Sequence, residues 1–349
     1  MATDPAAVPG TEFSPGLPVG LASDEGEAPP GIGPYQLAWR RLRRNRVALA
    51  FGGLFLLMVV LCLLAPVYAH DIAHTGPNDP HITDVIKING KPTNVVSTLG
   101  IPIGPTWHGR FFLGADATGR DIAVRLLYGG RNSLQIGAEA TLLTILLATI
   151  FGIIAGYFRG VADGLISRAF DLIWAYPVYL LGIALGVSLQ VGGLDLGLFK
   201  IQGNTLILTA LIIGFIYVPY VGKPVRGQVL GLREREFIDA ARQQGLGSLR
   251  IMFGELLPNV ASTIIVFIPL ILANAVLTEA GLSFLGAGVH DPNPSWGTMI
   301  TDGIKLVPGA IHLVLVPGLM LVLTVLGINV FGDGVRDALD PRAKVRIEH

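Results

Sequence analysis

Cysteine is almost missing: Cys62 is the single one in 349 residues, which excludes an intrachain disulfide and any metal site built on several thiolates. Charge is scarce too. Asp, Glu, Lys and Arg make up 14% of the chain against 51% hydrophobic residues, a balance foreign to soluble domains and normal where apolar helices cross a bilayer. Residues 1–34 contain no Lys or Arg, so the basic start of a secretory leader is not expected there. With seven prolines, six glycines and Asp4, Glu12, Asp24, Glu25 and Glu27, that stretch cannot bury a core and reads as a disordered tail. The phosphate-binding pattern G-x-x-x-x-G-K-[ST] is also absent. "NGKPT" around Lys91 fails in both spacing and the residue after the lysine, so ATP hydrolysis by this polypeptide is not expected.

What the chain has instead is long apolar runs. Six of them, at about 47–68, 133–158, 165–189, 204–222, 260–285 and 310–332, are long enough to cross ~30 Å of hydrocarbon as helices. The expectation is an all-α integral membrane protein with six transmembrane helices spread over 47–332. "RRLRRNR" in the basic segment 35–46 places five arginines just before the first span, which puts the N-terminus in the cytoplasm. With six spans the C-terminal tail 333–349 is then cytoplasmic as well. Sixteen Lys and Arg fall on the cytoplasmic side and eight outside, in keeping with that orientation. Two large segments lie outside the bilayer: an external loop 69–132, whose "ITDVIKINGKPTNVV" alternates about an "NG" turn like a hairpin, and a cytoplasmic loop 223–259.

The cytoplasmic loop is the amphipathic interruption in an otherwise apolar chain. "GLREREFIDAARQQ" is rich in helix formers and sets Phe237, Ala240 and Ala241 on one side. Gly245 and Gly247 break it. A second helix follows, with Leu249, Met252, Phe253 and Leu256 at helical spacing, ended or kinked by Pro258. Residue physics alone allows either a loop lying on the headgroups or a surface that meets a water-soluble partner.

"DAARQQGLGSLRIMFGELLP", Asp239 to Pro258, resembles the EAA motif of bacterial importer-type ABC-transporter permeases: E-A-A, three residues, Gly, nine residues, Ile, one residue, Leu-Pro. The matching positions are Asp239, Ala240, Ala241, Gly245, Leu257 and Pro258. Asp239 replaces the usual Glu, and Glu255 stands where Ile is usual. "FLGADATGRDIAVRLLYGGRNSLQIG", "DGLISRAFDLIWAYP", "LTEAGLSFLGAGVHDPNPSWGTMI" and "DGVRDALDPR" resemble the C-type permease of dipeptide, oligopeptide and related importers, including those for nickel. The resemblance spans about residues 35–342. It implies the type I importer permease fold in the bacterial inner membrane and a coupling helix that docks on separate ATPase subunits carrying ATP and Mg, with no cofactor in this chain. It also implies a B-type permease partner and an external substrate-binding protein.

Other residues invite attention on their own. Glu279, in the fifth span, demands a partner: a contact with the translocation path, a gating bond, or a structural bond to a neighbouring helix end. Arg168 and Asp171, three apart on one helix, can neutralise each other. Asp116, Arg120 and Asp121 of "GADATGRD", and Ser295 and Trp296 of "DPNPSWG", are candidates for the external mouth, with Trp296 alternatively an anchor of its loop at the headgroups. Glu279 also motivates the alternative of an ion-coupled secondary transporter. "HDIAH", His70 to His74, spaces two histidines as a zinc protease does but has Asp71 in place of the catalytic Glu. No metal site is expected, and a membrane metalloprotease is the remote alternative.

Overall fold

The computed structural model describes residues 34–88, 90–195, 197, 200–203 and 205–340. The tail 1–33 and residues 341–349 lie outside them, and with them the reading of the tail as disordered. In chain order come α1 (Pro34–Arg44), α2 (Arg46–Leu63), a single turn α3 (Ala65–Val67) running into a π-helical turn Tyr68–Ala73, and the strands β1 (Val85–Ile88) and β2 (Lys91–Asn94). Then follow α4 (Ile122–Phe158), α5 (Gly160–Trp174), α6 (Val178–Gly192), the short strands β3 (Leu194–Asp195) and β4 (Lys200–Ile201), α7 (Leu206–Leu232) and α8 (Glu236–Gln243). The turn α9 (Ser248–Arg250), a π-helical turn Ile251–Leu256 and α10 (Leu257–Phe284) form one continuous helix of 37 residues. The chain closes with α11 (Trp296–Ile304), α12 (Val307–Ala310) and α13 (His312–Leu339).

Among the described residues five helices are long and apolar enough to cross a membrane, α2, α4, α7, the α9–α10 helix and α13, and the bent pair α5–α6 makes a sixth if it is one span. The third expected span, 165–189, is not one straight helix. α5 and α6 meet at 91° across a break where Pro177, which has no N–H for the helical ladder, caps α6 with an extended ψ of 134°. The helix carrying the second span starts at Ile122 rather than 133. Asp121 caps it by accepting bonds from the backbone N–H of Ala123 (2.8 Å) and Val124 (3.2 Å), so "RLLYGGRN", read as part of the external loop, is helical.

Small residues set the packing. A Cβ on Gly152 of α4 would come within 2.9 Å of the Gly222 carbonyl oxygen of α7, so these two parallel helices touch backbone to backbone. α7 turns Val218, Val221, Val225 and Val229 onto Ile153 and Tyr157 of α4 and Phe170 of α5. The same cluster takes in Ile238 and Ala241 of α8 and Ile251, Met252, Leu256 and Val260 of the following helix. α8 is thus seated in the core at one end of the bundle. The opposite end carries the antiparallel β1–β2 hairpin, which pairs Val85 with Asn94 and Ile88 with Lys91, and a small cluster of Val95, Val96, Phe111 and Ala115 beneath it.

Candidate functional site

Two groups of the expected residues assemble, one at each end of the bundle. At the α8 end, Ile238 and Ala241, three residues apart, point inward and are buried, while Phe237 and Ala240 point outward. The expected single side of Phe237, Ala240 and Ala241 is therefore split between two faces. The residue that anchors the helix, Ile238, is wholly buried; its spacing to Ala241 was the available signal. Asp239 is exposed and accepts a hydrogen bond from Arg242 Nη1 at 3.1 Å.

Gly245 ends α8 in the left-handed region, with φ +76°. Its N–H donates to the Arg242 carbonyl and the N–H of Leu246 donates to the Ala241 carbonyl, the paired bonds of a Schellman cap. A Cβ at Gly245 would meet nothing within 4 Å, so the glycine answers a backbone requirement rather than a steric one. The second short helix of the loop is instead the first turns of the long α9–α10 helix. Pro258 does not end it: a π-helical turn absorbs the missing N–H, and Pro258 is the second residue of α10. Leu257 is half-buried and Pro258 exposed. Glu255, the departure from the motif, is half-buried on this turn, where its carbonyl accepts from Asn259 Nδ2 at 2.6 Å.

Ion pairs brace the helices around α8. Arg226 pairs with Asp163 and Arg159 with Glu234, and Arg233 Nη1 donates to the Tyr157 carbonyl at 2.6 Å. Asp171 finds Lys223 of α7 at 2.7 Å rather than Arg168. The same lysine lies 4.4 Å over the Trp174 ring.

At the other end the glycine-flanked loop and the proline loop come together. Asp116 Oδ1 accepts from Thr118 N (2.9 Å), Thr118 Oγ1 (2.7 Å) and Arg120 N (3.0 Å), and its Oδ2 accepts from Arg120 Nε at 2.6 Å. Arg120 Nη1 reaches across to Asp291 Oδ1 at 3.2 Å. Arg125, 1% exposed, donates to the Pro77 carbonyl at 3.1 Å and stands 3.8 Å from Asp291 and 4.0 Å from Asp302. These groups, with Lys305, line a cavity of about 370 Å³. Burial, then the neighbouring Asp291, pushes the Asp302 carboxyl above its usual range against the pull of Arg125 and Arg120. Asp121 is not part of this cluster: it is fully buried as the α4 cap and also accepts from Phe111 N at 2.5 Å.

Glu279, Ser295 and Trp296 are each fully buried. Trp296 is no headgroup anchor; its Nε1 donates to the Leu126 carbonyl at 3.1 Å, and its ring lies against the backbone of Gly130. Ser295 caps α11 in a reciprocal capping box with Thr298. Glu279 Oε1 accepts from Ser283 Oγ at 2.7 Å and faces the hydroxyls of Ser133 and Ser295. A carboxyl group beside the N-terminus of α11 suits the helix dipole. The three residues form a joint between α4, α10 and α11. The zinc-protease alternative finds no support, because among the described residues no group of three His, Cys, Asp or Glu could hold a metal. His70 instead sits 2.5 Å from its neighbour Asp71, and His74 is left-handed at the end of its helical turn.

The model of the family described as binding-protein-dependent transport system inner membrane component matches residues 148–345, and that of the N-terminal TM domain of oligopeptide transport permease C matches residues 33–92. The chain belongs to this permease family. It is 36% identical over 335 residues to the dipeptide transport system permease protein of Alkalihalophilus pseudofirmus, covering 93% of this chain and 97% of that one. Against the glutathione transport system permease protein of Pectobacterium atrosepticum the identity is 32%, over 89% of this chain and 92% of that one. Against the oligopeptide transport system permease protein of Bacillus subtilis it is 33%, over 88% and 89%. Among solved structures, an inward-facing MetNI methionine ABC transporter is similar with 17% identity and a TM-score of 0.49, covering 62% of this permease and 96% of that chain. By the family match and these relatives the permease is an inner membrane component of a binding-protein-dependent transport system, and neither a secondary transporter nor a protease finds support.

Proposed function

We propose that this permease forms half of the pathway of an importer for di- or oligopeptides, paired with a B-type permease, fed by an external binding protein and driven by separate ATPase subunits that carry ATP and Mg. The termini and α8 face the cytoplasm in this reading, as the arginines before the first span require. α8 is the coupling helix. The observation that carries the role is its two-sidedness: Ile238 and Ala241 are set in the main core, while Phe237 and Ala240 are exposed, as are Leu249 and Phe253 of the helix that follows, at 68% and 63%. A push on the outer face passes through a stiff, packed element into α7 and α10 rather than being absorbed by a flexing loop.

The peptide assignment rests on the names of the relatives, which transport dipeptides, glutathione and oligopeptides. The test is uptake of labelled di- and tripeptides by vesicles holding the complete complex, together with what its own binding protein retains. Uptake of a nickel complex or another solute with no peptide uptake would replace the peptide reading and leave the coupling role standing.

A further inference from the structure

α1 sits where the first span begins. Its Ala38 and Leu42 are buried against Val335, Ala338 and Leu339 of α13, and Arg41 Nη1 donates to the Asp340 carbonyl at 3.0 Å. Asn45 then turns the chain, its Oδ1 accepting from Ala48 N at 3.0 Å to cap α2. With one face of α1 held this way, the rest is laid out in the open. Arg40, Arg43, Arg44 and Arg46 are exposed, and Trp39 is 60% exposed among them. None of these four arginines forms an ion pair among the described residues, although Asp333 and Asp337 stand exposed on the neighbouring turns of α13.

The apolar run of α2 starts at Val47, one residue after Arg46, and its Val47, Leu49, Leu56 and Leu57 face outward. When α2 spans the bilayer, the arginines therefore lie within the headgroup layer, which extends roughly 5–8 Å beyond the hydrocarbon. A helix with one apolar face docked, an exposed Trp and a row of cations is built for that layer. The cations are all arginine. Orientation of the chain needs positive charge only, which lysine supplies equally well; the planar guanidinium adds the paired donors that match phosphate oxygens.

We propose that Arg40, Arg43, Arg44 and Arg46, with Trp39, form a binding surface for the phosphate headgroups of anionic phospholipids. The competing occupant of like chemistry is the chain's own acidic stretch, which carries Asp4, Glu12, Asp24, Glu25 and Glu27 and no basic residue before Arg40. Lipid is favoured by position: headgroups are present at this corner whenever α2 is inserted, and Trp39 beside the arginines suits an interface that is part apolar.

The full-length permease is reconstituted into phosphatidylcholine vesicles carrying either brominated phosphatidylglycerol or brominated phosphatidylcholine at equal bromine content. Quenching of Trp39 is read as the difference between the protein and its W39F variant. Stronger quenching by the brominated anionic lipid is expected. An arginine near an anionic surface contributes about a five-fold preference, so R40Q/R43Q/R44Q, which leaves the Arg41 bond to α13 intact, lowers the preference on the order of 100-fold. The triple lysine variant retains part of it. Equal quenching by the two lipids, or a preference that the glutamine variant leaves unchanged, overturns the proposal. So does a preference that arises only after residues 1–33 are deleted, which assigns the arginines to the acidic stretch.

Discussion

Ser283 Oγ donates a 2.7 Å hydrogen bond to Glu279 Oε1, one turn earlier on α10, and accepts a 2.9 Å bond from the backbone N–H of Val289. That single hydroxyl ties the buried carboxyl group to the loop beyond the helix end. The loop leads directly into α11, whose cap Ser295 faces the same carboxyl group. Glu279 is therefore the centre of a polar joint in an apolar region, and its removal takes the acceptor from Ser283 and the carboxyl group that faces the α11 cap.

Glu279→Ala removes the acceptor of the Ser283 hydroxyl and the carboxyl group that Ser133 and Ser295 face and opens a void, at a cost of about 2–4 kcal/mol. Glu279→Gln keeps shape and acceptor and costs about 1 kcal/mol or less. Thermal unfolding in detergent should separate the two variants clearly. Equal midpoints would mean that the joint contributes nothing to holding α11.

Ile238→Ala and Phe237→Ala, one residue apart, should fail in different ways. The first removes a fully buried side chain from the main core and costs about 2–4 kcal/mol of stability. The second truncates an exposed ring and costs less than about 0.5 kcal/mol, yet it weakens retention of the ATPase subunits. Unfolding midpoints and co-purification yields on the same samples check both halves. A Phe237→Ala complex that retains its ATPases fully would remove the outer face of α8 from the contact.

The apolar runs and the positive φ at Gly245 were legible because each is local: periodicity and a glycine suffice, whereas the caps Asp121 and Ser295 were read as residues of the external mouth. The bend between α5 and α6 was not legible. Pro219, Pro224, Pro269 and Pro317 all lie inside helices that continue past them, whereas the chain bends by 91° at the break that holds Pro177. Nothing near each proline in the sequence tells these cases apart. The partner of Asp171 was hidden for the same reason, since Lys223 is 52 residues away and Arg168 only three. Trp296 misled by type: a residue common at headgroups is here fully buried, because Gly130 lets the ring reach α4.

Gly245→Asp places a side chain where the backbone is left-handed, at about 1–2 kcal/mol of local strain. No atom lies within 4 Å of the new Cβ, so the effect is confined to the α8 elbow. The variant should reach the membrane and assemble, while transported substrate per ATP hydrolysed falls several-fold. Gly245→Asn, of the same size and the same tolerance for this φ but without the charge, should show the backbone part of the loss alone. If Gly245→Asp retained substrate-stimulated turnover, the elbow would have no part in coupling.

Asp302 sets the sign of a pH effect. Burial and the neighbouring Asp291 raise its folded value above the ordinary carboxylate range, so the folded state holds this proton more tightly than the unfolded chain does. The associated stability is complete below the unfolded value, near 4, and is lost as pH rises through the raised folded value. Asp302→Asn removes that component, whereas Asp121, raised in the same direction, is unchanged in both proteins and cancels. The wild-type midpoint, measured relative to the Asn variant, should therefore fall as pH increases from 4 towards neutrality. A difference that grows instead would mean that Arg120 and Arg125, at 3.6 and 4.0 Å, outweigh the cost of burying the charge.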